Sequence, residues 1–344
     1  MEKEIFDAEF AKDSEYEKTL RPALLDDFIG QKNFIDNLKI YIQAAKKRGQ
    51  PLDHIILSGP PGLGKTTLAS IIAREMNVNF KSTSAPILEK TGDLAAILTD
   101  INPGDVFFID EIHRLRKNIE EVLYSAMEDF TIDLVIGQGP SAKSIKINIE
   151  PFTLIGATTR SGLISSPLLA RFGINGKLDF YAKNEMEKII KRSSGILNIK
   201  AEENAAGLIA DSSRATPRVA NNILKRVRDF AEIEGKGVIT EDIAKSSLER
   251  MKIDNLGLNK VDLSILKVLI ENYDGGPVGC KTIAISIGEE PETVEEVYEP
   301  FLIQLGFIKR TQRGRVATKK AYLHLGLEYR FNEEKEKSLF DEEL

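Results

Sequence analysis

The sequence predicts an α/β chain: a mostly parallel sheet covered by helices, then a small all-helical domain, then a C-terminal winged-helix domain. The first observation is an alternation of short apolar stretches with longer amphipathic ones between residues 54 and 159, which is typical of parallel sheets. The second is a purely helical pattern from about Tyr181 to Arg250. The third is a succession of three helical stretches and two short strands near the C-terminus, the order of a winged helix.

The predicted elements of the first half follow one another closely. After a helical stretch, "NFIDNLKIYIQAAKKRG", the predicted strands are "HIILSG", "VFFIDE" and "FTLIGATT", and the helices are "KTTLASIIAREMN" and "RKNIEEVLYSAMED". Residues 131–150 contain Gly137, Gly139 and Pro140 and then alternate apolar and polar side chains. This pattern predicts a β-hairpin, which by itself suggests only an ordinary surface feature.

Length, charge and cysteine content narrow the class of protein. The chain has 344 residues, 42% of them hydrophobic, enough for two or three domains with their own cores. Its net charge is -6, but the acidic ends 1–19 and 331–344 together carry -8, so the remainder is slightly basic. A single cysteine, Cys280, and three scattered histidines argue against a disulfide or a metal cluster. With no long apolar run and no signal-peptide pattern, we expect a cytoplasmic protein without a membrane span.

A phosphate-binding loop is predicted where a strand meets a helix. "GPPGLGKTT" fits the G-x-x-x-x-G-K-[ST] template, directly after "HIILS" and before "TTLASIIA". In such a loop, backbone N–H groups and the helix N-terminus cradle the phosphates. We expect Lys65 to lie on the β- and γ-phosphates and Thr66 to bind Mg²⁺. The nucleotide-binding residues predicted in this loop are Gly59, Gly62, Gly64, Lys65, Thr66 and Thr67.

A pair of acids ends the buried strand "VFFIDE", at the edge where ligands bind in open α/β sheets. Asp110 is expected to hold Mg²⁺, directly or through water. Glu111 is placed to orient or deprotonate an attacking water. A site that only binds a nucleotide needs no such base, so the pair predicts hydrolysis. For His113, nearby, a supporting or surface position is the better interpretation.

A cluster of basic residues lies near the C-terminus of this acidic chain. Residues 301–327 contain no acid, and Arg310, Arg313 and Arg315 lie on or beside a predicted turn at Gly314. Phosphate would repel the helix before them, so the arginines are predicted to grip the DNA backbone or minor groove without reading bases. The alternative is a solvated turn on a protein-binding domain. The acids in and next to that helix are Glu289, Glu290, Glu292, Glu295, Glu296 and Glu299.

Six stretches carry a resemblance to a known family: "LRPALLDDFIGQ", "GPPGLGKTT", "FIDEIHRL", "GATTR", "SSPLLARFG" and "ATPRVANNILKRVRDFA". Over residues 20–330 the chain resembles the RuvB family of AAA+ ATPases, bacterial motors of Holliday-junction branch migration. The resemblance implies ATP and Mg²⁺ as cofactors, a homo-hexameric ring, DNA as substrate, and RuvA-like and RuvC-like partners. The implied domains are a AAA+ P-loop domain at 20–181, a helical lid at 182–252 and a winged helix at 253–330, between acidic tails at 1–19 and 331–344.

The resemblance also implies roles for single residues. Thr159 would be the polar sensor near the γ-phosphate, Arg171 the arginine finger of a neighbouring subunit, and Arg218 the second sensor, on the lid. It assigns DNA contacts to Arg310 and Arg315. Taken alone, Arg171 suggests a surface salt bridge and Arg218 a helix-end charge. The further contacts implied at the nucleotide are Leu20, Arg21 and Tyr181 on its adenine side, and Glu128, Asp129 and Phe130 at a nearby interface.

The same resemblance changes the interpretation of the hairpin at 131–150, which would dock the RuvA-like partner through Leu134, Val135 and Ile136. Two rival functions remain at this stage. One is another AAA+ class, a clamp loader or protein remodeller, which the arginine wing disfavours. The other is a nucleotide-gated winged-helix regulator, which would need a base-reading helix.

Overall fold

The computed structural model describes residues 20–136 and 143–329. They divide into two compact units, the first comprising residues 20–199 and Thr216–Asn221, the second Lys200–Ala215 and the residues from Asn222 onward. None of the described helices is long and apolar enough to cross a membrane. The acidic ends 1–19 and 331–344 lie outside the described residues, and the predicted domain boundaries stay predictions.

A five-stranded parallel sheet forms the centre of the first unit. Its order is β2-β3-β6-β1-β7, and the three inner strands are buried along almost their whole length. This confirms the predicted α/β class with a parallel sheet. The strands of the unit are β1 (Ile55–Ser58), β2 (Phe80–Ser84), β3 (Val106–Asp110), β4 (Thr131–Ile136), β5 (Lys143–Asn148), β6 (Thr153–Thr158) and β7 (Ile174–Lys177).

The two edge strands, β2 and β7, were not among the predicted strands. Their sequences, "FKSTS" and "INGK", are largely polar. Each strand lies at an edge of the sheet and pairs with a neighbour on one side only, so it need not be apolar throughout. The inner strands carry the strong apolar signal because helices cover both faces of the sheet there.

Helices pack against the sheet and form an apolar core with it. The helices of the first unit are α1 (Lys32–Arg48), α2 (Lys65–Met76), α3 (Thr91–Thr99), α4 (Lys117–Glu128), α5 (Ser166–Leu169) and α6 (Lys183–Ile196). On one face, Phe107 and Ile109 of β3 and Leu123 of α4 belong to one buried cluster with Phe152 and Leu154. Burial of such side chains is the main stabilising contribution to a domain of this kind.

The predicted hairpin is confirmed. Strands β4 and β5 pair antiparallel, from Thr131 opposite Asn148 to Ile136 opposite Lys143. Its inner end is anchored, because Ile132 is buried in the core, whereas Ile145 is exposed. The connecting residues 137–142 and the side chains of Leu134, Val135 and Ile136, predicted to dock a partner, lie outside what the structure describes.

The region predicted to be all-helical contains one additional element. Lys200–Ala201 (β8) and Val238–Ile239 (β9) pair as a two-residue parallel ladder, so the prediction that it contains no strand is wrong in this detail. Two residues are too few to produce a periodic signal. The helices of this region are α7 (Glu203–Asp211), α8 (Pro217–Glu234), which begins in the first unit, and α9 (Glu241–Arg250).

The C-terminal region has the predicted winged-helix order. Its elements are α10 (Lys260–Lys267), α11 (Cys280–Ile287), α12 (Pro291–Thr293), α13 (Glu299–Gln304), β10 (Ile308–Thr311), β11 (Gly314–Ala317) and α14 (Lys319–His324). A π-helical turn, Val294–Tyr298, joins α12 to α13 into one rod. Pro300 lies just after this turn and has no N–H to donate, which removes one regular helical hydrogen bond and favours the wider turn.

Candidate functional site

The phosphate-binding loop connects β1 to α2 and is built on close backbone approaches. Gly59 has φ of 140°, and a Cβ atom there would lie 2.3 Å from the Leu178 carbonyl oxygen. Gly64, with φ of 99°, immediately precedes the first residue of α2. Larger residues would push the loop open, so the glycines hold the backbone N–H groups in the curved arrangement that a phosphate requires.

Lys65, the first residue of α2, is buried and folded back over the loop. Its Nζ donates to the carbonyl oxygens of Gly59, at 2.7 Å, and Pro60, at 2.9 Å. Burial lowers the pKa of Lys65 to about 8, and the nearby carboxylates of Asp110 and Glu111 raise it in part. A phosphate would supply the negative charge that a buried ammonium lacks, so the geometry suits an anionic ligand.

The carboxyl ends of β3 and β6 are each followed by a residue with a buried polar atom that makes no hydrogen bond. The N–H of Glu111 donates to Asp110 Oδ1 at 3.0 Å, and Glu111 has φ of 53°, a left-handed conformation that is strained for a residue other than glycine. Its Oε2 and the Oγ1 of Thr159 are buried without a hydrogen bond. Buried polar atoms of this kind rarely go unsatisfied, so the site fits a ligand that supplies partners.

His113 supports this arrangement, as the sequence indicated. Its ring is buried, with Nδ1 at 2.9 Å from Thr158 Oγ1 and Nε2 at 3.7 Å from Glu111 Oε2. The second distance is beyond hydrogen-bond reach. His113 therefore links the end of β6 to the Glu111 side chain without itself satisfying the carboxylate.

Two predicted nucleotide contacts flank the loop. The hydroxyl of Tyr181 donates to the Leu63 carbonyl at 3.0 Å, and burial raises the pKa of this phenol, so it stays a donor. The backbone N–H of Arg218 donates to the Gly62 carbonyl at 3.4 Å. Residues far along the chain are thus brought to the predicted phosphate site.

Leu20 and Arg21 are held by a residue that had not been predicted from the sequence. The Arg192 guanidinium on α6 donates to the carbonyl oxygens of Leu20, at 2.9 Å, and Arg21, at 3.4 Å. The Leu20 side chain is buried, whereas that of Arg21 is exposed. A second missed residue is Phe28, whose ring would lie 3.4 Å from a Cβ at Gly64. The apolar pair Phe28–Ile29 was the available signal for Phe28, and nothing local indicated Arg192.

Arg171 is held in a separate cluster. Its Nη2 pairs with Glu128 at 2.9 Å, its Nη1 donates to the Pro167 carbonyl at 2.7 Å, and its guanidinium lies 4.3 Å from the centre of the Tyr124 ring. Its Nε is buried without a partner. Of the predicted stretch 128–130, Glu128 therefore contacts Arg171, whereas Asp129 is exposed and Phe130 packs edge-on against Phe152.

Tyr124 and Glu120, not predicted from the sequence, support this cluster. The Tyr124 hydroxyl donates to Glu120 Oε1 at 2.6 Å, and the Ser165 hydroxyl donates to the same oxygen. Glu120, Tyr124 and Glu128 are spaced four residues apart on α4, so they share one face of the helix. That spacing was the signal from which the cluster could have been found.

The winged helix places its arginines in an unexpected environment. Arg310 and Arg315 lie directly opposite each other on β10 and β11, and Arg313 is exposed in the turn between the strands. Both strand arginines form ion pairs with Glu295 and Glu299 of the preceding helix. The acidic helix was predicted to repel phosphate, but two of its acids bind the arginines of the wing instead.

The turn of the wing is braced by backbone contacts. Gly314 has φ of 140°, and a Cβ atom there would lie 2.4 Å from the Val278 carbonyl oxygen. Val278 and Arg315 exchange two backbone hydrogen bonds, of 3.0 and 2.7 Å. The Thr311 hydroxyl donates to the Gly314 carbonyl at 2.9 Å. These contacts fix the two arginine-bearing strands against Val278, a residue of the domain core.

Three family models together match most of the chain. They describe a Holliday junction DNA helicase RuvB P-loop domain at residues 20–178, a RuvB AAA lid domain at 181–254 and a RuvB C-terminal winged helix domain at 255–326. A Holliday junction branch migration complex subunit RuvB from Kosmotoga olearia is 58% identical over 315 residues, which cover 92% of each chain. The chain belongs to the RuvB family.

Other members of the RuvB family are similar to this chain over most of their length. The subunit from Fusobacterium nucleatum is 54% identical over 324 residues, covering 94% of this chain and 98% of its own. The structure of the Thermotoga maritima RuvB Holliday junction branch migration motor has a TM-score of 0.84 at 52% identity, covering 91% of this chain and all of that one. Membership of the RuvB family confirms the predicted resemblance, fold, nucleotide binding and ATPase motor function, and it disfavours both rival functions. The roles of single residues stay predictions.

Proposed function

We propose that this chain is an ATP-driven motor subunit that moves Holliday junctions in DNA recombination and repair, in the cytoplasm, with a RuvA-like junction-binding partner and a RuvC-like resolvase. The observation that carries the proposal is that the carboxylate of Glu111 is near enough to Lys65 of the phosphate-binding loop to raise the pKa of that lysine, which puts an acid suited to activating water at the predicted phosphate site. A chain that only sensed nucleotide would need the loop but not the acid. The DNA-stimulated ATPase measurement below tests it.

The chain's own residues divide the work at the nucleotide. Lys65 and the loop N–H groups would bind the phosphates, and Thr66 and Asp110 would hold Mg²⁺, which when bound neutralises phosphate charge. Glu111 would orient the attacking water and accept its proton. The unpartnered Thr159 hydroxyl would hydrogen-bond the water or the γ-phosphate.

A ring would complete the site. Arg171, held on its own subunit by Glu128 and Tyr124, would reach the γ-phosphate of a neighbour, so that hydrolysis requires assembly. Head-to-tail contacts of this type close into rings, and we propose six subunits. Arg218, whose backbone contacts Gly62, would report the state of the phosphate site to the lid.

The wing is the proposed grip on DNA, and Arg313 gives the cleanest test because it is exposed in the turn. We expect duplex DNA to raise the steady-state ATPase rate of the wild type. Arg313→Ala should blunt this rise for every DNA sequence tried, since phosphate contacts carry no sequence information. The basal rate without DNA should not change.

The matched control is Lys47→Ala, which removes one exposed positive charge from α1. It should behave as wild type with and without DNA. If DNA leaves the wild-type rate unchanged and binding depends on the sequence, the motor proposal is wrong and the regulator becomes the better account.

The hairpin at 131–150 is the proposed docking site for the RuvA-like partner. Ile145 of β5 lies opposite Leu134, and its apolar side chain is 44% exposed. Ile145→Asp should abolish stimulation by the partner while leaving DNA-stimulated hydrolysis intact. Ile233→Asp is the control, because Ile233 is 86% exposed on α8. Equal loss, or no loss, in the two variants in a partner-binding titration would contradict the assignment.

A further inference from the structure

The wing arginines and the helix glutamates form one four-membered ion-pair cluster. Arg310 Nη2 pairs with Glu295 Oε1, and Arg310 Nε lies 3.0 Å from Glu299 Oε1. Arg315 Nη2 lies 2.9 Å from Glu299 Oε2 and 3.4 Å from Glu295 Oε1. Two cations and two anions sum to zero, so this part of the wing presents no net charge to DNA while the cluster is intact.

Burial divides the cluster into an inner and an outer pair. The side chains of Glu299 and Arg315 are 4% and 14% exposed, whereas those of Glu295 and Arg310 are 36% and 51% exposed. Removing one partner of the inner pair would leave a buried charge uncompensated, so we expect this pair to stay intact and to stabilise the domain. The outer pair lies in high dielectric, where an ion pair contributes little and can exchange partners.

A phosphate that approaches Arg310 meets a donor edge that Glu295 already occupies. When the phosphate binds, the Glu295 carboxylate must either move away or remain beside it as a like charge. Both reduce the favourable free energy of phosphate binding. Counterion release is reduced as well, because a guanidinium already paired with a carboxylate brings no new net charge to the DNA.

We propose that Glu295 is an intramolecular competitor of DNA phosphate for Arg310, and that it thereby sets how tightly the winged-helix domain holds DNA. The inference rests on the proposed DNA contact of the wing. This competition would be useful to a motor, because a domain that binds DNA less tightly can release it and bind again at each step. Glu299 has the opposite role, since it positions both arginines.

The test measures duplex-DNA affinity of the full-length chain over a series of KCl concentrations, by fluorescence anisotropy of a labelled duplex of mixed sequence. Glu295→Gln keeps the shape of the side chain and removes its charge. We expect it to bind DNA about threefold to tenfold more tightly at low salt. The slope of log K against log[KCl] should steepen by about one unit, as for one additional uncompensated phosphate contact.

Glu290→Gln is the matched control. Glu290 is exposed and immediately precedes the same helix, so it removes an equal charge without touching the cluster. It should leave affinity and slope near wild type. The basal ATPase rate should be unchanged in both variants, because neither residue lies at the nucleotide site.

The decisive arm combines Glu295→Gln with Arg310→Ala. If Glu295 acts by competing for Arg310, its replacement should bring no gain once that arginine is absent. A gain that persists in the double variant means that Glu295 acts through another group, such as Arg315, or as a general charge, and it overturns the inference, as does weaker binding by Glu295→Gln alone. If Arg310→Ala alone binds DNA as tightly as wild type at every salt concentration, the proposed DNA contact of Arg310 fails instead.

Discussion

Arg171→Ala is expected to reduce the ATP turnover number by about 10³- to 10⁵-fold while nucleotide affinity stays near wild type. The reason is that an arginine supplied to the γ-phosphate stabilises the charge that develops during transfer rather than the bound ground state. In the structure, Glu128, the Pro167 carbonyl and the Tyr124 ring hold the guanidinium of Arg171. Its Nε is buried without a hydrogen bond.

The measurement is a mixing experiment between two inactive variants. Arg171→Ala keeps an intact phosphate-binding loop, and Lys65→Ala keeps an intact arginine, so a mixed ring contains some sites with both. ATPase activity should therefore reappear on mixing and pass through a maximum near equal amounts. The exposed Arg226, whose ion pair is with Asp229, serves as the control, and Arg226→Ala should stay active alone.

Mixed rings that assemble, as seen by native mass spectrometry, but remain inactive at every ratio would contradict action across subunits. A turnover loss of only a few-fold in Arg171→Ala would contradict the arginine-finger role itself. In that case the ion pair with Glu128 would be a local surface contact of the kind that contributes little to stability.

Glu111→Gln is expected to lower kcat by roughly 10²- to 10⁴-fold, the usual contribution of a positioned general base. The amide keeps the shape of the side chain but cannot accept the proton of the attacking water. Binding of ATP should persist, since Lys65 and the loop glycines are unchanged. Single-turnover hydrolysis and calorimetric titration with ATP separate the two quantities.

Glu121→Gln provides the control, because Glu121 is an exposed glutamate on α4, remote from the contacts of the loop. It should hydrolyse ATP at the wild-type rate. Turnover of Glu111→Gln within a few-fold of wild type would assign activation of the water to another residue, and Glu111 would then be a structural acid.

Much of the fold was predictable because its signals are local. The inner strands are continuous apolar runs, since helices cover both their faces, and the loop template lies between a strand and a helix, where its chemistry requires it. The order of three helices and a hairpin likewise identified the winged helix. The edge strands "FKSTS" and "INGK" escaped because one-sided pairing leaves them free to be polar.

The contacts of some predicted residues depend on tertiary packing and not on local sequence. Tyr181 and Arg218 are more than a hundred residues from the loop whose carbonyl oxygens they contact, and no spacing rule reaches that far. Family resemblance, rather than any local pattern, supplied these two positions. For Phe28 and Arg192, neither a local pattern nor the family resemblance was a strong enough signal. Only their tertiary contacts revealed them.

By itself, the sequence determined the class of this protein: a phosphate-binding loop, a strand-end acid pair and a winged helix in the order typical of the RuvB family. Only the tertiary structure decided what surrounds each charge. Arg310 and Glu295 are 15 residues apart, on a wing strand and a helix, and whether their charges repel phosphate, bind it or neutralise each other depends on how those elements pack. A charge has a sign in the sequence, but its effect depends on its neighbours in space.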